Sequence, residues 1–311
     1  MFRFGSGIRL FEIFGITVYL HPSWFILAIY AYTERVHMYR SPVWAALEIL
    51  ALFAIVLMHE FGHALACRSV GGTANRIMLW PLGGVAFVNP PRRPGAQLWS
   101  IAAGPLVNVA LFVLTLPLWT MHIAGGPDVR MFVRTLLDIN LVLLIFNMLP
   151  VYPLDGGQIL WSLLWFPLGF ARSLMVAASI GFVAAVAGGI WALLVQDYLL
   201  ALIGAFVVYQ SVTGFRYALS IHRRDTAPRR AGAACPYCHQ PPPMGAFWTC
   251  RNCNASFDAF DYPVACPGCG APHSALACMN CGRRSEIAQW ERGTQMRVTA
   301  HDLEGVTRDE G

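Results

Sequence analysis

Six apolar stretches, at about 16–32, 43–68, 96–120, 133–149, 174–195 and 199–219, occupy most of the first two thirds of this chain. A bilayer core about 30 Å thick takes roughly 20 apolar residues per helix. The pattern therefore predicts an all-α polytopic membrane protein of about six transmembrane helices. Composition points the same way. Charged residues make up 13% of the 311 residues and hydrophobic ones 56%, whereas a soluble domain carries about 25% charged residues. That balance excludes an ordinary soluble enzyme.

Every basic residue is an arginine, and the arginines gather between and after the apolar runs. With the N-terminus inside, the inner segments hold Arg3, Arg9, Arg68, Arg76, Arg92, Arg93, Arg172, Arg223, Arg224, Arg229 and Arg230. The outer loops hold only Arg35, Arg40, Arg130 and Arg134. This bias predicts that both termini are cytoplasmic, which an even number of spans allows. His21-Pro22 interrupts the first run and no small-residue cleavage site follows, so the N-terminus reads as retained. Residues 77–80 and 85–88 are β-prone and flank Pro81-Leu82-Gly83-Gly84, which predicts a short β-hairpin or re-entrant loop. The expected divisions are a membrane domain over 1–222, a basic linker over 223–234, a cysteine module over 235–284 and a disordered tail over 285–311, with Trp290 able to dock.

The second apolar run ends in His59-Glu60-Phe61-Gly62-His63. Residues four apart share a helix face, so His59 and His63 can hold one metal ion, with Glu60 beside it as a base. Charged groups in an apolar helix cost about 2.5–3.5 kcal/mol each on insertion scales, and persist when paired or functional. Catalytic zinc takes three protein ligands and leaves one position open. Asp155, after Asn147, Pro150 and Pro153 and before Gly156-Gly157, is the best candidate for the third. It can equally cap the short helix expected over 156–166, or do both. Asn108 and His21 read as packing residues, and Cys67 as a small buried one.

These residues resemble the site-2 protease family of intramembrane metalloproteases. The resemblance rests on His59-Glu60-Phe61-Gly62-His63 and on Asn147-x-x-Pro150-x-x-Pro153-Leu154-Asp155-Gly156-Gly157. It extends to His21-Pro22-Ser23-Trp24, Pro81-Leu82-Gly83-Gly84 and Ala103-Gly104-Pro105-Leu106-Val107-Asn108, all within about 8–220. The six-span layout is most similar to the bacterial branch that includes sporulation-factor-processing proteases. The resemblance implies zinc held by His59, His63 and Asp155, Glu60 as the catalytic base, and Asn147 near the substrate. It implies membrane-anchored protein substrates and a bacterial cell membrane location. It does not extend to the nucleotide-binding tail common in that branch.

Eight of the nine cysteines form four Cys-x-x-Cys pairs: Cys235/Cys238, Cys250/Cys253, Cys266/Cys269 and Cys278/Cys281. That is structural-zinc spacing and suits a reducing compartment. A double zinc ribbon with two zinc ions follows, with sequential pairing the simplest arrangement and interleaved pairing open. A regulatory protein is the expected partner of this module. Asp258 and Asp261 dilute the nearby arginines and disfavour nucleic acid. A rival reading makes the chain a zinc-sensing or scaffolding membrane protein. Glu60 argues against it, since a structural site needs no base.

Overall fold

The computed structural model describes residues 7–80, 83–121 and 125–290. Arg3, Pro81, Leu82 and residues 291–311 of the tail expected over 285–311 lie outside the described residues. The described chain divides into two compact units, Met1–Ala218 and Leu219–Gly311.

The first unit is mostly helical. Strands β1 (Ile8–Ile13) and β2 (Ile16–Leu20) precede helices α1 (Ser23–Arg35) and α2 (Pro42–Ser69). Strands β3 (Thr73–Trp80) and β4 (Gly83–Asn89) follow, then α3 (Pro94–Thr120), α4 (Pro127–Met148), α5 (Asp155–Leu168) and α6 (Phe170–Leu194). Helix α7 (Tyr198–Thr226) runs through the boundary between the units. Helices α2, α3 and α4 each open with proline near the first helical position, where its missing N–H costs nothing and its fixed φ favours the turn.

Among the described residues, four helices, α2, α3, α6 and α7, are long and apolar enough to cross a membrane. The expected first span is corrected at its start. Residues 16–20 are a strand, and α1 has only 13 residues, about 20 Å of helix. Helix α4 forms as expected over the fourth run but begins with Asp128, Arg130, Arg134 and Asp138. Near the N-terminal end of α2, buried Glu48 takes both Arg35 Nε and Nη2 at 2.8 Å, and Arg35 also reaches Thr135 Oγ1 at 2.9 Å. An intrahelical carboxylate in an apolar setting is thereby paired.

The expected hairpin is part of a larger structure, a sheet in the order β1-β2-β3-β4. β2 and β3 run parallel, and the outer pairs are antiparallel. Alternate residues Ile16, Val18 and Leu20 of β2 and Ile77 and Leu79 of β3 are buried together with Ala64 and Cys67 of α2. His21 N–H donates to Leu79 O at 2.8 Å and prolongs that pairing. The sheet thus lies on the last turns of the helix that carries the His-Glu-x-x-His motif.

The second unit holds two small two-stranded sheets, β5 (Trp248–Thr249) with β6 (Ser256–Phe257) and β7 (Ala275–Ala277) with β8 (Arg284–Glu286). The expected linker is not free. Residues 223–226 belong to α7, Arg229 bridges to Pro243, and Arg230 bonds to Asp258 at 3.0 Å and Asp261 at 2.7 Å. Burial works to lower the Arg230 pKa, but the two carboxylates outweigh it and hold it above the ordinary value. The module also passes the expected boundary at 284. Ser285 lies in β8, and Trp290, 1% exposed, joins the core of Trp248, Phe257 and Leu276.

Candidate metal centre and cysteine clusters

His59, Glu60 and His63 lie in α2, and Asp155 is the first residue of α5; all four are buried. Asp155 Oδ2 stands 3.0 Å from His59 Nε2 and 3.4 Å from His63 Nε2, and the two Nε2 atoms are 3.1 Å apart. Two hydrogen bonds, one to a backbone carbonyl and one to a side-chain amide, fix the tautomers. His63 Nδ1 donates to Ser100 O at 2.9 Å. His59 Nδ1 donates to Asn108 Oδ1 at 2.6 Å. The Asn108 amide is oriented in turn by Asn140, because Asn108 Nδ2 donates to Asn140 Oδ1 and Asn140 Nδ2 to Asn108 O, both at 2.7 Å.

With their Nδ1 protons committed, the neutral imidazoles turn Nε2 lone pairs toward a carboxylate oxygen that has no hydrogen-bond partner. Three acceptors facing one another without a proton repel unless a cation sits among them. The ligand set, two imidazoles and a carboxylate with second-layer acceptors on both rings, fits a divalent metal such as zinc.

The surrounding backbone comes unusually close. A Cβ built on Gly104 of α3 would stand 2.3 Å from His63 Nε2, and one on Gly84 of β4 would stand 2.3 Å from Glu60 Cγ. Only glycine lets α3 and β4 close over the site. Ala86 N–H in β4 donates to Glu60 Oε2 at 2.7 Å, so the amide takes one of the two carboxylate oxygens. Ala86 lies opposite Ile77. Its N–H is turned to Glu60, so in the antiparallel alternation it points away from β3, toward the free edge of the sheet.

The expected site residues thus divide. His59, His63, Asp155 and Glu60 come together. Asn147 is half-buried near the end of α4, and no hydrogen bond joins its side chain to these four. The residue that sequence reasoning set aside is Asn108. It was read as packing, yet it is 0% exposed and bonded to His59. The available signal was its place four residues after Gly104, on the same helix face.

The cysteine pairs are nested, which corrects the sequential pairing. Cys235, Cys238, Cys278 and Cys281 form one cluster, and Cys250, Cys253, Cys266 and Cys269 the other. Each pair has the same turn. The residue after its second cysteine, His239, Asn254, Gly270 or Gly282, has positive φ and donates its N–H to the carbonyl of the first cysteine at 2.9–3.0 Å. Asn252 Nδ2 reaches Cys269 Sγ and Asn280 Nδ2 reaches Cys238 Sγ, both at 3.6 Å, so one pair supports the other in each cluster. Four thiols converging in this way fit a tetrahedral metal.

Residues 47–125 match the model of Peptidase family M50. A zinc metalloprotease of Methanocaldococcus jannaschii is 36% identical over 206 residues, covering 65% of this chain and 59% of that protein. Stage IV sporulation protein FB of Bacillus subtilis is 29% identical over 161 residues, covering 51% of each chain. This chain therefore spans between half and three fifths of those curated relatives. Among solved structures, the site-2 protease from Methanocaldococcus jannaschii matches with a TM-score of 0.51 and 29% identity, covering 68% of this chain and 95% of that one.

Proposed function

We infer that this chain, which carries a peptidase family M50 domain of the site-2 protease type, is an intramembrane zinc metalloprotease that hydrolyses peptide bonds within or near the transmembrane segments of membrane-anchored proteins. The observation that carries this reading is the buried convergence of His59, His63 and Asp155, three acceptors without a shared proton, beside Glu60.

His59, His63 and Asp155 would hold the zinc, with Asn108 and Ser100 O fixing the two rings. Bound there, zinc would supply Lewis acidity toward the scissile carbonyl and draw the pKa of water down toward about 7. Glu60 takes the proton of the attacking water and returns it to the leaving amine. Its Oε2 stays on the Ala86 amide, so Oε1 does the transfer. Asn147 donates a hydrogen bond to the substrate backbone.

A helical substrate must unwind before its peptide bonds can react, and each unpaired backbone group costs several kcal/mol in lipid. The free edge of β4 beside Glu60 supports pairing of the unwound segment there by strand addition. Beyond the four long apolar helices, α4 and the shorter α1 are the remaining membrane helices of the six-helix layout, with both termini cytoplasmic and the membrane that of a bacterial cell. The two cysteine clusters hold structural zinc in a double ribbon whose partner is a regulatory protein.

The deciding experiment compares wild type with Glu60→Gln at matched zinc content on a panel of single-span membrane proteins. Cleavage by wild type alone supports the reading. No cleavage by either protein, with zinc bound in both, would sink it and favour a structural or sensing metal.

A further inference from the structure

Asp155 opens α5 directly after a stretch that Pro150 and Pro153 keep from being helical. Besides the packing of α5 against α3 and α6, the position of its carboxylate depends on how that stretch is held. Tyr152, three residues before it, is where the holding occurs. Its carbonyl accepts the Ser211 hydroxyl of α7 at 3.0 Å. A Cβ on Gly181 of α6 would stand 2.5 Å from the same carbonyl oxygen, and a Cβ on Gly214 of α7 would stand 2.6 Å from the Tyr152 ring. From the other side, a Cβ on Gly157 would stand 2.3 Å from Tyr152 N. One residue is thus gripped between α6, α7 and the start of α5, with both its backbone and its ring in contact.

We propose that Tyr152 is a positioning residue for Asp155, and that Gly181, Ser211 and Gly214 of α6 and α7 set the geometry of the third metal ligand by holding it. Neither α6 nor α7 supplies a ligand, so the hairpin acts on the metal indirectly, and at Tyr152 it grips the loop that leads into Asp155. The physical reasoning is steric and polar. The Tyr152 carbonyl, freed from helical pairing among apolar helices, takes the Ser211 hydroxyl as its donor. The two glycines permit an approach that any side chain would forbid. A shift of the loop at Tyr152 displaces Asp155 three residues on, while His59 and His63 stay fixed by α3. The proposal rests on the reading of Asp155 as a zinc ligand.

The test uses the full-length protein in detergent. Zinc retained per chain is measured across a graded chelator series, and thiol reactivity reports the cysteine clusters separately. Gly181→Ala and Gly214→Ala should release the membrane-site zinc at about 10-fold or more lower chelator concentration, the usual effect of disturbing a ligand's support. Ser211→Ala, which removes only a hydroxyl, should shift release in the same direction and keeps the test valid if a glycine variant fails to fold. Gly204→Ala is the control. It crowds α6 at Gly189, 3.2 Å away, without touching Tyr152, and should release zinc as wild type does. In a Tyr152→Ala background, Gly214→Ala should have no further effect, because its action passes through that ring. Wild-type retention in Gly181→Ala, Gly214→Ala and Ser211→Ala, equal loss in Gly204→Ala, or additive loss in the double variant would each overturn the proposal. Wild-type retention in Asp155→Asn would instead overturn the ligand reading beneath it.

Discussion

Asn108 shows how much one side chain can decide. Buried in α3, it spends its oxygen on His59 and its amide protons on Asn140, and Asn140 closes the loop on the Asn108 carbonyl. The arrangement admits only one tautomer of His59. Asn108→Ala should free the ring and lower zinc affinity by about 10- to 100-fold, read as earlier release in a chelator titration with helicity unchanged. Wild-type retention would show that the amide only packs. Gly104→Ala should be harsher, since its methyl would occupy the space of His63 Nε2; no membrane-site zinc should survive it. The two histidines and Glu60 were legible because their spacing is itself the chemistry. Asp155 was legible as a candidate but not as distinct from a helix cap. Asn108 was legible only in its place on the Gly104 face, because an amide that packs and an amide that orients a histidine look alike until their partners are known.

At the scale of elements, the sheet meets Glu60 through β4. β4 brings the Ala86 amide to the carboxylate and leaves its outer edge without a neighbouring strand in the sheet. Ala86→Pro removes that N–H while sparing the β3 ladder, since the amide points to the free edge, where proline is tolerated. Hydrogen bonds to charged groups are worth about 1.5–3 kcal/mol, so cleavage should fall by roughly 10-fold or more with zinc fully retained. Cleavage at the wild-type rate would mean that neither the base nor the substrate uses this amide. The β3–β4 hairpin could be read from the sequence because Pro81-Leu82-Gly83-Gly84 separates two β-prone runs. β2 could not. Ile16–Leu20 is a short apolar run before a helix, and periodicity alone does not tell a buried strand from a helix start. The only local sign was Gly15, which follows Phe14 in a turn where both residues take positive φ. The parallel pairing of β2 with β3 spans the whole of α1 and α2, so no local signal could announce it.

For the whole molecule, the nested cysteines decide how the second unit is built. Its strands are two or three residues long, too little to fold without metal. Sequence spacing could not choose the pairing. The outer cluster closes separations of 40 and 46 residues and the inner ones of 13 and 19. Loop-closure entropy makes the longer closure costlier by only roughly 0.8 kcal/mol, less than a few packing contacts supply. The contacts are those of Trp248, Phe257 and Trp290, buried between the clusters' own chain segments. Cys281→Ser distinguishes the arrangements. With nested pairing, Cys235, Cys238 and Cys278 should become open to alkylation while Cys250, Cys253, Cys266 and Cys269 stay protected by their metal. With sequential pairing the newly reactive thiols would be Cys266, Cys269 and Cys278. Peptide mapping of the alkylated full-length protein reads the difference directly. Full chelation should expose all eight cysteines and strip amide protection from 230–290, while the α2–α3 contact, built on apolar burial rather than metal, keeps its protection. Loss of protection in α2 and α3 at the same chelator concentration would mean that the membrane unit also depends on zinc for its fold, and that the site built on His59 and His63 is structural.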